Sequence, residues 1–119
     1  MLKLKHIVNS VVVSEIVLPE GDFTIGRNKD NSLQLEDGVV SGNHAVITLT
    51  SNEYMPEIFD VCVEDLNSTN GVYVNNMKVS EQRLKHDDIL RIGSHEFKLF
   101  DDAESNTGTR TEYYVPDDE

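Results

Sequence analysis

The sequence predicts an all-β protein, a sandwich or barrel of short strands, on three observations. Apolar residues recur with period two in short runs: Leu2, Leu4, His6 and Val8 share one face, as do Ala45, Ile47 and Leu49, then Phe59, Val61 and Val63. Turn formers separate the runs at 19–22, 28–32, Asp37-Gly38, 67–71, Asn75-Asn76 and Asp87-Asp88. No longer window keeps an apolar stripe at helical spacing, and many short strands with frequent turns pack as two layers or close on themselves.

Taken in order, residues 2–8 alternate and open the chain as a half-buried strand, and 11–18 follows, rich in valine. Short strands are expected over 23–26 and 33–35, before the two alternating runs around Ile47 and Val61. Residues 80–86 form the only helix-like piece, too short to stand alone. Strands over 89–92 and 96–100 complete the set. From Asp101 the composition shifts to Asp, Glu, Thr, Ser and Asn around an isolated Tyr113-Tyr114-Val115 cluster. The expected organisation is therefore one domain over 1–100 and a solvated acidic tail over 101–119.

A chain of 119 residues is one domain's length. Its single cysteine, Cys62, excludes an internal disulfide framework and reads as a small buried hydrophobe. The N-terminus lacks the apolar stretch of a signal peptide or membrane span, which makes a cytoplasmic protein the expectation. Asn67-Ser68-Thr69 spells a glycosylation acceptor and, without a secretion signal, is read as a chance match. A net charge of −12 argues against nucleic acid and anionic membranes as partners, since both demand a broad basic face. It does not exclude a local phosphate pocket, because charges beyond about 8 Å are largely screened at physiological salt.

Three loop segments concentrate polar chemistry: Gly26-Arg27 at a strand end, Ser41-Gly42-Asn43-His44 before a strand, and Ser68-Thr69-Asn70-Gly71 after one. Arg27 offers a permanent charge and a planar fork of donors that suits phosphate, although an arginine at a strand end is more often a solvated surface group. Ser41 and Thr69 carry hydroxyl donors, and Asn70 both donates and accepts. Gly26 suits a close backbone approach and Gly71 a turn with positive φ. Ser41 and His44 do not amount to a nucleophile and base: no Gly-x-Ser-x-Gly elbow and no third orienting group accompany them. His6, His86 and His95 are scattered without metal-ligand spacing, so neither a metal nor another cofactor is expected.

The order Gly-Arg, Ser-x-x-His, Ser-x-Asn-Gly, closed by the 88–97 stretch with its apolar pair and Ile-Gly, resembles the forkhead-associated (FHA) family over residues 23–100. The resemblance implies a two-sheet β-sandwich with binding loops at one end. It also implies a non-catalytic module that captures phosphothreonine peptides as an adaptor in Ser/Thr kinase signalling. By family pattern Arg27 is the main phosphate ligand, with Ser41 and Thr69 as hydroxyl donors. Asn70 would bridge loop and peptide, its other reading being a left-handed turn residue, and His44 would brace the Ser41 loop. Val39 matches a position that helps choose the side chain three places after the phosphothreonine, its other reading being an anchor to the core. Gly42 stands where many members place Arg or Asn, which leaves Asn43 or Lys29 as substitute donors. The alternative function is an FHA-like scaffold that binds an unphosphorylated partner through a sheet face. Thr111 has Tyr114 three places on, so a phosphorylated tail could engage the same domain in a second molecule.

Overall fold

The computed structural model describes residues 2–55 and 58–101. The tail expected over 101–119, Thr111 included, lies outside the described residues except for Asp101. Among the described residues eleven strands follow one another: β1 Leu2–Val8, β2 Val11–Val17, β3 Gly21–Gly26, β4 Leu33–Gln34, β5 Ala45–Ser51, β6 Phe59–Asp65, β7 Val72–Val74, β8 Met77–Val79, β9 Glu81–Leu84, β10 Ile89–Ile92 and β11 His95–Asp101. They form a six-stranded sheet in the order β2-β1-β11-β10-β7-β8 and a five-stranded sheet in the order β4-β3-β5-β6-β9. Every pairing is antiparallel except that of β3 with β4. No helix among the described residues is long and apolar enough to cross a membrane.

The two inner faces share one core, so the fold is a β-sandwich. Leu4, Leu90, Ile92, Phe97 and Leu99 come from one sheet and Ile25, Ala45, Ile47 and Val63 from the other, all nearly inaccessible to water. Register explains the alternation: Ile47 lies opposite Val63 and Leu49 opposite Val61, so the middle of one face of β5 and β6 is apolar, with Asp65 and Ser51 at its ends. Each such side chain contributes about 1.5–3 kcal/mol by leaving water.

Three strands differ from the sequence expectation. The helix-like stretch at 80–86 contains β9, which pairs with β6 and turns Leu84 into the core. The backbone edge of β6 and one buried leucine outweigh the helix preference of Glu, Gln and Arg. β7 and β8 form a hairpin around Asn75-Asn76, whose φ angles of 50° and 71° supply the left-handed pair that a two-residue turn needs. Asp87, with φ of 75°, likewise adopts the conformation that often calls for glycine. Cys62 is half-buried rather than core, since Val61 and Val63 take the inner face and leave its Sγ beside the Glu81 carboxylate at 3.7 Å.

β2 is an open edge, and Val11, Val12, Val13 and Val17 are each more than half exposed there. A register shift between His6 and Ile7 puts a bulge into its pairing with β1. Strand directions then place the site: β3 and β6 run toward one end of the sandwich, from which β5 and β11 run away. Segments 27–32, 35–44 and 66–71 therefore meet at that end, while Asp101 lies at the other.

Candidate functional site

Where β3 ends, Arg27 N–H donates to Ser41 C=O at 2.9 Å and Asn28 N–H to Gly42 C=O at 3.1 Å. A Cβ on Gly26 would stand 2.2 Å from the Gly42 carbonyl oxygen, so only glycine lets the two segments run this close. Gly26→Ala is expected to cost about 1–3 kcal/mol through overpacking and to lower the thermal midpoint by at least about 4 °C. An unchanged calorimetric midpoint would show that the segment relaxes freely.

His44, fully buried, ties the loops together. Its Nδ1 accepts from the Ser41 N–H at 3.0 Å and its Nε2–H donates to the Gly71 carbonyl at 2.8 Å, which requires the neutral Nε2–H tautomer. Its own backbone N–H donates to Ile25 C=O, and its C=O accepts from Leu66 N–H. Both ring nitrogens thus serve backbone groups, and neither faces the Ser41 hydroxyl.

The third loop is wound on itself. Asp65 Oδ1 accepts from Ser68 N–H at 2.9 Å, Ser68 Oγ accepts from Gly71 N–H at 3.0 Å, and Gly71 takes φ of +87°. The left-handed asparagine is Asn67, with φ of 62°; Asn70 is not among the positive-φ residues. Instead Asn70 Nδ2 donates to the Val39 carbonyl at 2.8 Å, and Thr69 N–H donates to Ser41 Oγ at 3.0 Å. These two bonds lace the 35–44 and 66–71 segments into one rim.

The result is a cleft of about 330 Å³ lined by Arg27, Gly38, Val39, Val40, Ser41, Gly42, Thr69 and Asn70. Five of the residues singled out in the sequence line it together with the specificity candidate Val39, which is 48% exposed and lies outside the core cluster, so it does not anchor the loop to the core. Gly26, His44 and Gly71 sit behind the rim. Asn43 and Lys29 are exposed but outside the cleft lining, and Asn28 Nδ2 lies 2.8 Å from where a Gly42 Cβ would be. Sequence reasoning missed Gly38 and Val40 as lining, although the Asp37-Gly38 turn signal marked the spot.

Arg27 is exposed, and its guanidinium has no hydrogen bond or ion pair among the described residues. Gln34 Nε2 fixes only its backbone carbonyl, at 3.1 Å. Because Ser41 Oγ already accepts from Thr69 N–H, its proton is left to donate outward. A permanent cation, a hydroxyl donor and the exposed Thr69 hydroxyl around a polar hollow suit a tetrahedral anion carried on an extended chain. A groove of about 350 Å³ between the β7–β8 hairpin and β9 is slightly larger, but its guanidinium, Arg83, is paired with Asp60. Among the described residues no group of three or more His, Cys, Asp or Glu is placed to hold a metal ion.

Comparison with known proteins gives a consistent family. A family model described as the FHA domain matches residues 23–93. The transcriptional regulatory protein EmbR of Mycobacterium tuberculosis is 37% identical over 86 residues, covering 71% of this chain and 20% of its own length. The FHA domain-containing protein FhaA of the same organism is 38% identical over 79 residues, covering 66% and 14%. The chain thus spans a fifth or less of these curated relatives. Among solved structures, Mycobacterium tuberculosis EmbR in complex with a low affinity phosphopeptide matches with a TM-score of 0.69 at 30% identity, covering 83% of this chain and 24% of that one. A structure from work on phosphothreonine-dependent FHA domain interactions matches with a TM-score of 0.69 at 31% identity, covering 83% and 94%.

Proposed function

This chain belongs to the FHA-domain family, and from that premise we propose that its loop cleft captures phosphothreonine peptides and that the chain catalyses nothing. The observation that carries this reading is the Arg27 guanidinium, unpartnered among the described residues, opening onto the cleft beside an outward Ser41 hydroxyl. In a chain of net charge −12, an arginine without a carboxylate partner among those residues is available for a ligand's charge. Arg27 engages the phosphate as a fork, Ser41 and Thr69 donate to its oxygens, and Asn70, already bound to Val39 C=O, offers its side-chain oxygen to the peptide backbone. Gly42 contributes its narrow backbone, Val39 meets the side chain three places on, and Asn43 serves only a peptide long enough to leave the cleft.

The partner in this reading is a cytoplasmic component of a Ser/Thr kinase pathway, with no role for nucleic acid or membrane. The binding domain ends with β11 and the remainder is an acidic tail. A phosphorylated Thr111 would be a ligand within the chain. Eleven residues from Phe100 reach at most about 36–40 Å, against a longest dimension of 47 Å, which favours exchange between two molecules over folding back.

Three matched peptides test the reading: phosphothreonine, phosphoserine and unphosphorylated threonine, titrated calorimetrically. The phosphothreonine peptide should bind and the unphosphorylated one should not. A threonine methyl received beside the Asn70 loop adds about 0.8 kcal/mol, roughly a fourfold preference over phosphoserine. Equal binding with and without phosphate would refute the proposal in favour of a scaffold that uses a sheet face.

A further inference from the structure

We propose that Asp37, His95 and His6 are positioning residues for the Val39–Asn70 rim of the cleft, and that the histidine pair makes the rim sensitive to protons. This rests on the reading of the cleft as a phosphopeptide site. His6 and His95, scattered in sequence, meet in the fold: His6 Nε2 and His95 Nδ1 are 2.9 Å apart, and His6 stacks on Phe97 with ring centres 4.6 Å apart. His95 Nε2 faces Asp37 Oδ2 at 3.3 Å, and the same oxygen accepts from Ser94 O–H at 3.2 Å. The other carboxylate oxygen accepts from Val39 N–H at 3.1 Å, while Asp37 C=O accepts from Val40 N–H at 2.9 Å. Val39 C=O in turn holds Asn70 Nδ2. Hydrogen bonds therefore run unbroken from β1 through the start of β11 to both lips of the rim.

Proton bookkeeping gives the chain a direction. With both rings neutral, His95 donates from Nε2 to Asp37 and accepts at Nδ1 from His6 Nε2–H. One added proton is accommodated on His6 Nδ1 without breaking either bond. A second proton sets two N–H groups and two positive charges against each other across 2.9 Å, and the link is lost. Among the described residues, the titratable groups facing the pair are each other and Asp37. His6's register partners, Ser14 on β2 and Phe97 on β11, are uncharged, as is Ile92 opposite His95. Lys5 lies over Phe100 on the other face of the sheet, Glu96 alternates to that face, and Glu36 beside Asp37 is exposed.

Burial first, then the neighbouring His95, holds the His6 imidazole below its usual range. The Val39 N–H above all, with Ser94 and His95 adding to it against desolvation, holds the Asp37 carboxyl below the usual carboxylate range. A histidine whose folded value lies below its unfolded one favours the fold above its ordinary value, about 6.5, and loses that contribution as pH falls through 6.5 toward the folded value. Asp37 stays ionised across that window, so a change there belongs to the histidine pair.

His6→Gln tests the assignment, because glutamine can donate to His95 or accept from it and does not titrate. Dissociation constants for one phosphothreonine peptide are measured on the full chain from pH 7.5 to about 5, below the uptake of the first proton, and only the ratio of wild type to variant is read, since the peptide's phosphate itself titrates near pH 6. The ratio should stay within about twofold of one at pH 7.5 and move at least about threefold against wild type at the acid end, where the second proton enters the pair. In parallel, the Val39 amide resonance of the ligand-free proteins should shift on acidification more in wild type than in His6→Gln. Identical Val39 profiles or a constant affinity ratio would overturn the brace. Absence of phosphopeptide binding by both proteins at pH 7.5 refutes the cleft reading instead, and the Val39 profile then decides the brace alone.

Discussion

Arg27→Ala is expected to abolish measurable phosphothreonine-peptide binding while leaving the fold intact. Truncating one member of a close charge pair costs about 2–5 kcal/mol, or roughly thirtyfold to several thousandfold in affinity. The fold should not suffer, because the side chain is exposed and makes no hydrogen bond or ion pair among the described residues, and the backbone bonds to Ser41 and Gln34 survive truncation. Arg27→Lys should recover only part of the loss, since a point charge replaces a fork. Titration calorimetry with circular dichroism as the check on folding measures this; wild-type affinity in a folded Arg27→Ala would place the site elsewhere.

The second large effect falls on stability. His44→Ala leaves the Ser41 N–H and the Gly71 carbonyl without their partner in a fully buried position, and each unsatisfied group costs about 1–3 kcal/mol before any cavity is counted. Against a total stability of about 5–15 kcal/mol this is a large share, and the thermal midpoint should fall by about 8 °C or more. Peptide affinity should fall too, because the imidazole holds Ser41, on one lip of the cleft, in register with Gly71, which backs the loop carrying Thr69 and Asn70 on the other. A midpoint within about 2 °C of wild type would mean that water replaces the ring at no cost.

What the sequence disclosed follows from the physics of each signal. Period-two alternation is loud where one face is buried, so β1, β5 and β6 were legible by it, while β-branched and aromatic richness between turn formers marked β2, β3, β4, β10 and β11. β7 and β8 are three residues each, too short to express a period, and only their Asn75-Asn76 turn announced them. β9 was hidden because Glu-Gln-Arg-Leu states a local preference that an unfilled sheet edge overrides. Motif spacing identified Arg27, Ser41, Gly42, Thr69 and Asn70, which the fold brings around one hollow, but it could not reveal how they are held. The His44 bridge, the Asn70 bond to Val39 and the His6–His95 contact, between residues 89 positions apart, are tertiary facts that no local pattern encodes.

The open valine edge of β2 governs how copies of this molecule treat one another. Four exposed valines on a strand with free backbone groups favour edge-to-edge association, and the bulge opposite Ile7 is the local irregularity that discourages it. The net charge of −12 supplies the rest of the deterrent by keeping like molecules apart. Colloidal behaviour is therefore set by the solvent: raising ionic strength from 0.1 M to about 1 M shortens the screening length from about 10 Å to about 3 Å. Near the sequence isoelectric point of about 4.5 the repulsion vanishes altogether. Concentrated stocks should keep best at neutral pH and low salt, and a charged residue in place of Val12 should widen that range.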